Sequence, residues 1–250
     1  MLTDPLFYLV SIPAVLLYGI SKGGFGGSVA VLAVPLMALV MSPTQAAAII
    51  LPILVVMDIL VVRAYWGVFD IKALKLLLPG AIVGILIGYF LADAMNDNYM
   101  RILVGVVSLV FGAQNLFRLQ SRASGQHHVV SGTFFGALAG FTSFSIHAGG
   151  PPFAMYLMPK KLTPVLYAGT AGLFFAAVNA VKIIPYAMLG QFNKENLLYA
   201  LVLVPLAPIG VGLGHYLVKR SDPTLYYRII SFFLVVVGIK LLWDGIAGAW

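Results

Sequence analysis

The sequence predicts an all-α polytopic membrane protein built from two five-segment repeats of inverted topology. Each repeat is expected to carry a glycine-broken re-entrant or discontinuous hairpin. Three observations lead there: the composition, the run of apolar segments, and a glycine-rich break that occurs once in each half. Of the 250 residues, 61% are hydrophobic and only 9% are charged. Soluble domains carry about 25% charged residues. Strict two-residue alternation is missing, which favours helices over an outer-membrane barrel. No polar region is large enough to form a separate domain, so residues 1–250 read as a single transmembrane unit.

The elements follow in order. Met1-Leu2-Thr3-Asp4-Pro5 has no basic residue before the first apolar run, unlike the positive start of a signal peptide, so that run is expected to stay in the mature protein. Apolar segments fall at about 5–21, 28–41, 44–65, 71–92 and 99–117. A short basic loop, 118–128, joins them to segments at about 129–146, 151–159, 163–188, 196–218 and 225–246. A membrane-crossing helix needs about 20 residues. The second and seventh segments are too short for that, and Pro159-Lys160-Lys161 stops the seventh. Each follows a glycine-rich break: Gly19-Ile20-Ser21-Lys22-Gly23-Gly24-Phe25-Gly26-Gly27-Ser28 in the first half, Gly140 to Pro152 in the second. Irregular backbone at membrane depth survives only inside protein or around a wet cavity. Paired breaks in the two halves of a membrane chain point to a transport site.

The halves, 1–120 and 128–250, repeat in sequence. At a spacing of 121, Gly19 matches Gly140, Leu36-Met37 matches Leu157-Met158, Ser42-Pro43 matches Thr163-Pro164, and Asp58 falls on Asn179. Gly67 and Phe69 match Gly190 and Phe192 at 123; Pro79, Gly84 and Gly88 match Pro205, Gly210 and Gly214 at 126. Tyr99 and Arg101 match Tyr226 and Arg228 at 127. With sides alternating along ten segments from the outside, ten basic residues fall inside: Arg63, Lys72, Lys75, Arg118, Arg122, Lys160, Lys161, Lys219, Arg220 and Arg228. Three fall outside: Arg101, Lys194 and Lys240. That is a positive-inside pattern. It predicts a cytoplasmic loop 118–128, both termini outside, and oppositely oriented halves, because each half has an odd number of segments. The net charge of +7 is therefore a topology signal and not a nucleic-acid footprint. Cysteine is absent, which excludes disulfides and thiol chemistry.

Lys22-Gly23-Gly24-Phe25-Gly26-Gly27-Ser28, Ser42-Pro43, and Gly149-Gly150-Pro151-Pro152 resemble the TauE/SafE family of membrane anion permeases. The resemblance covers nearly the whole chain. It implies transport of sulfur-containing anions: sulfite export, or export of a related organosulfonate such as sulfoacetate.

A small oxyanion needs hydrogen-bond donors and positive potential, yet must be released. Glycine breaks expose backbone N–H groups and helix N-termini. The first tip would offer Ser21, Lys22, Gly23, Gly24, Gly26, Gly27 and Ser28. The second would offer Ser143, Ser145, His147, Gly149 and Gly150, with Thr142 beside them. Asp58, Asn179 and Lys182 are candidates for coupling or for supporting the site, since ionisable residues within membrane segments are costly. Each also has a plainer reading. The glycines would serve close helix packing, Lys22 and Lys182 would snorkel to water, Asp58 would pair with Arg63, and His147 would bond a neighbouring helix. Enzyme signatures are lacking: there is no H-E-x-x-H and no Walker loop. No cofactor or metal is implied. The expected partners are a small anion and the lipid bilayer of the cell's inner membrane. A passive anion channel and a cation or metal carrier using Asp58 remain as alternatives.

Overall fold

The computed structural model describes residues 4–24, 30–94, 96–116, 128–157, 160, 162–217 and 223–248. Among the described residues the chain is helical and without strands. The first half contributes α1 (Pro5–Gly24), a 3-10 turn at Ala30–Leu32, α2 (Ala33–Met37), α3 (Pro43–Ala64), α4 (Ile71–Leu91) and α5 (Asp97–Leu116). The second contributes α6 (Val129–Ile146), α7 (Gly150–Leu157), α8 (Pro164–Met188), α9 (Lys194–Leu203), α10 (Leu206–Leu217) and α11 (Pro223–Ala247). Five described helices, α1, α3, α4, α6 and α8, are long and apolar enough to cross a membrane. Together α9 and α10 make a sixth, bent by 44°. The protein is thus a multi-pass, all-helical membrane protein.

Side-chain caps start the long helices. Ser42 Oγ accepts from Gln45 N–H at 3.1 Å, and Pro43 opens α3 with no N–H to leave unpaired. Thr163 Oγ1 and Pro164 do the same for α8, with Leu166 N–H at 3.4 Å. Asp70 caps α4 through the N–H groups of Lys72 and Ala73, and Asn193 caps α9 through Asn196 N–H. Gly67 (φ 79°) and Gly190 (φ 66°) take the left-handed turns that precede these two caps.

Two differences from the sequence expectation have physical causes. First, the helices run well into the glycine stretches. The backbone is helical through Gly19–Gly24 and through Gly140–Ile146. The reason is that the glycines form contact faces. A Cβ at Gly19 would lie 2.8 Å from Gly210 Cα, and one at Gly23 would fall on the carbonyl of Val211. Second, the ninth segment is not one straight helix. Val204-Pro205 interrupts it, although the matching Pro79 sits inside an unbroken α4. As expected, the second and seventh segments are short, giving five-residue α2 and eight-residue α7. At 1.5 Å per residue, α7 is about 12 Å long and cannot cross a bilayer.

Packing is built on crossed helix pairs. Down one seam, α4 runs parallel to α6: Gly80 and Gly84 would clash with Thr133 and Ala137 if they carried Cβ atoms, and Gly136 and Gly140 with Leu77 and Ala81. Glycines four apart on each helix let the two backbones touch. A second parallel seam joins α1 to α10 through Gly19, Gly23, Gly210 and Gly214. By contrast, α3 and α8 cross antiparallel, with Gly172 against Val61 and Gly169 against Tyr65 and Val68. So do α5 and α11, with Gly105 against Leu242 and Gly245 against Ile102. Outward faces are apolar, as at Leu9, Ile59, Trp66, Phe90, Leu201 and Trp243. Such faces suit lipid, which leaves the polar side chains to gather where α1, α3, α6 and α8 converge.

Candidate functional site

Lys22 lies in the last turn of α1 and is buried. Its ammonium pairs with Asp58 Oδ1 on α3. The other carboxylate oxygen, Asp58 Oδ2, accepts from Asn179 Nδ2 on α8 at 2.6 Å. One helical turn further along α8, Lys182 is completely buried. Its Nζ lies 2.9 Å from the Ser143 carbonyl, 3.0 Å from Ser143 Oγ and 2.8 Å from His147 Nδ1. Residues three apart share a helix face, so Asn179 and Lys182 reach the same centre.

His147 ends α6 in the left-handed conformation (φ 54°, ψ 28°), and its N–H bonds back to the Ser143 carbonyl at 3.1 Å. This is an αL cap, a position that glycine usually takes. Among the described residues His147 alone combines a side chain with positive φ. From this position its imidazole meets Lys182 Nζ. His147 Nε2 lies 2.8 Å from the Ala47 carbonyl. A carbonyl only accepts, so Nε2 carries a hydrogen, and opposite an ammonium at Lys182, which has no lone pair, Nδ1 is the acceptor.

Tyrosines close the carbonyl ends of α1 and α6. Tyr65 OH donates to Gly23 O at 2.9 Å, and Tyr186 OH donates to Phe144 O at 2.6 Å. Tyr18 OH donates to His147 O at 3.0 Å. The last carbonyls of a helix lack partners within it. Each tyrosine thus satisfies an end that lies inside the protein.

The sequence-predicted residues divide accordingly. Lys22, Asp58, Asn179, Lys182, Ser143 and His147 meet in one buried network. Neither lysine reaches water, and Asp58 spends its oxygens on Lys22 and Asn179 rather than on Arg63. Ser21 Oγ accepts from Ala30 N–H at 3.0 Å and ties the turn before α2 to α1. Thr142 and Ser145 donate back to carbonyls of their own helix, Leu138 at 2.7 Å and Phe141 at 3.0 Å. Gly23 and Gly149 are close-packing positions: a Cβ at Gly149 would lie 2.7 Å from Ala139 O. Gly24 and Gly150 are buried at the ends of α1 and α7. Gly26, Gly27 and Ser28 lie outside the described residues.

Two cavities border the network. One of about 150 Å³ is lined by Thr44, Ala47, Ser145, Tyr186 and Gln191, and so includes the residue whose carbonyl holds His147. The other, about 580 Å³, is an open apolar groove between α3 and α8, lined by Val55, Ile59, Val62, Arg63 and Trp66 with Asp58 at its edge. No group of three or more acidic, histidine or cysteine side chains suited to a metal occurs among the described residues.

A family model described as sulfite exporter TauE/SafE matches residues 11–241. The chain belongs to this family. It is therefore a TauE/SafE membrane transporter. Its curated relatives include the probable inner membrane transporter protein TsaS of Comamonas testosteroni, 26% identical over 176 residues, covering 68% of this chain and 71% of the relative. No solved structure matches.

In this TauE/SafE protein the tyrosine caps escaped the sequence reading. Their signal was present: Tyr65 and Tyr186 stand 121 apart, the register that aligns Asp58 with Asn179, and their acceptors Gly23 and Phe144 are also 121 apart. The contribution of Ala47 is a backbone carbonyl and leaves no mark in side-chain identity.

Proposed function

We propose that the chain is a secondary transporter that exports sulfite or a related organosulfur oxyanion, such as sulfoacetate, across the inner membrane by alternating access. The observation that carries this reading is the charge of the buried network. Two lysines face one carboxylate, so the protonated site has room for one negative charge. The substrate class rests on the family description, and the inner membrane on the name of the relative. Among the described residues Lys22, Lys182 and His147 are all buried, which favours a carrier over a passive pore.

The machinery would be an inverted repeat. Under a match of α1 to α6, α3 to α8, α4 to α9–α10 and α5 to α11, the α4–α6 seam corresponds to the α10–α1 seam, and both are parallel. The α3–α8 and α5–α11 pairs correspond to themselves, and both are antiparallel. A two-fold axis lying in the membrane plane relates helices of opposite direction, so this pattern supports inversion. The equal caps at Ser42 and Thr163, Asp70 and Asn193, and Tyr65 and Tyr186 support the same match.

Anion-dependent thermal stabilisation tests the substrate class. Sulfite, sulfate, thiosulfate, sulfoacetate, taurine and chloride are the panel. A true substrate at a hundred times its Kd adds about 2.7 kcal/mol of apparent stability. Lys22→Ala is expected to weaken that binding at least about tenfold, as loss of one charge-assisted contact does. Unchanged binding and flux in Lys22→Ala would remove Lys22 from the site; no response to any anion would sink the substrate class.

A further inference from the structure

We propose that Lys182 is the proton carrier of the transport cycle: its amine gains one proton when the anion binds and loses it when the anion leaves, so that proton and anion cross together. This rests on the anion-transport reading above and names its coupling ion.

The argument begins with what surrounds Nζ. Its contacts are the Ser143 carbonyl, Ser143 Oγ and His147 Nδ1, at 2.9, 3.0 and 2.8 Å. As an ammonium, Lys182 has three N–H bonds and three acceptors to fill. As a neutral amine it has two N–H bonds and one lone pair. The carbonyl and Nδ1 then still accept, while the Ser143 hydroxyl, which can donate as well as accept, turns its hydrogen toward the lone pair. All three contacts survive in both protonation states, and the change needs only a hydroxyl rotation. His147, with Nε2–H on Ala47 O at 2.8 Å, has only Nδ1 left, and that atom faces Lys182 Nζ.

The charges around Lys182 also bear on its state. From α1 it faces Lys22 and Tyr18; from α3, Asp58; from α6, Ser143 and His147; on its own helix, Asn179 and Tyr186. Asp58 is the carboxylate among them, and it already holds Lys22 and Asn179. A buried ammonium without its own counter-charge costs several kcal/mol in effective terms. The empty carrier avoids that cost by leaving Lys182 neutral. An arriving anion supplies the missing charge, and water on the entry side supplies the proton. Ala47, whose carbonyl accepts from His147, also lines the smaller cavity, so an opening lies one residue beyond the partner of Lys182. A doubly charged anion then travels with one proton as a net single negative charge, which an interior-negative potential drives outward.

The experiment uses the full chain in liposomes with radiolabelled sulfoacetate outside and a pH dye trapped inside. Sulfoacetate is chosen because, unlike sulfite, it does not itself trade a proton near neutral pH. An inward sulfoacetate gradient is expected to acidify the lumen in step with uptake, and a protonophore to abolish the acidification. Lys182→Arg keeps the charge but cannot release it. It should retain exchange of labelled for unlabelled sulfoacetate while net uptake falls about a hundredfold, the lower range of what a positioned proton-transfer group supplies. Ser143→Ala, a smaller change that removes the hydroxyl facing the lone pair, should shift the pH profile of net uptake relative to that of exchange. Sulfoacetate uptake without lumen acidification, or a Lys182→Arg variant with parental acidification, would overturn the proposal and leave anion transport standing. Absence of both uptake and anion-dependent stabilisation in the parent would overturn the transport reading and this proposal with it.

Discussion

At the scale of single residues, the Lys22–Asp58 pair shows how a buried charge is tolerated. Each partner is costly alone, and the pair is bearable because Asn179 completes the carboxylate. Removing one partner exposes the asymmetry. Asp58→Ala is expected to lower stability by about 3–5 kcal/mol, because it leaves an uncompensated lysine. The double variant Lys22→Met/Asp58→Leu should recover most of that loss. Thermal unfolding of both in detergent is the check, and equal melting of Asp58→Ala and the parent would refute it. These residues were legible because a charge inside an apolar segment stands out. Their partners were not. Asp58 has Arg63 nearer in sequence, but five residues along a helix point to a different face, whereas Lys22 arrives from another element.

Among elements, the glycines divide into those that let helices touch and those that do not. Gly84→Leu and Gly136→Leu would force side chains into the backbone of the facing helix, so each is expected to abolish the folded yield. At Gly212 nothing lies within 4 Å of a built Cβ. Gly212→Ala should fold with equal or higher stability, by up to about 1 kcal/mol from helix propensity. Size-exclusion profiles of the three variants separate the cases, and a monodisperse Gly84→Leu would refute the seam. The pattern also explains where the sequence misled. Glycine signals both chain breaks and close packing, and Gly19, Gly23 and Gly140 are packed helical positions. The short α2 and α7 and the proline-marked starts of α3 and α8 were readable, because length and capping chemistry are local. The kink at Val204-Pro205 was not, since the same proline type at Pro79 leaves α4 whole.

For the whole molecule, the proposed orientation has a direct test, helped by the absence of cysteine from the chain. Ile71 and Lys194, both exposed, occupy matching positions at the starts of α4 and α9. Opposite halves place them on opposite sides. Lys194→Cys is expected to react with an impermeant maleimide on intact cells, and Ile71→Cys only after the membrane is opened. Labelling of both from the same side would refute inversion. The arrangement of seams gives the inversion a mechanical meaning. Parallel seams bind each half to the first helix of the other, while the antiparallel α3–α8 crossing carries the buried network through the middle.

That crossing has a further consequence. Asp58 and Asn179 are equivalent under the proposed repeat, and they touch each other. A residue that meets its own counterpart cannot stay identical to it here. Two aspartates would set like charges side by side; two asparagines would strand Lys22. The two copies had to diverge at this contact before the molecule could hold a charge at its centre. A duplicated gene, or two identical subunits, would have faced the same conflict, and a single chain with two independently mutable halves resolves it.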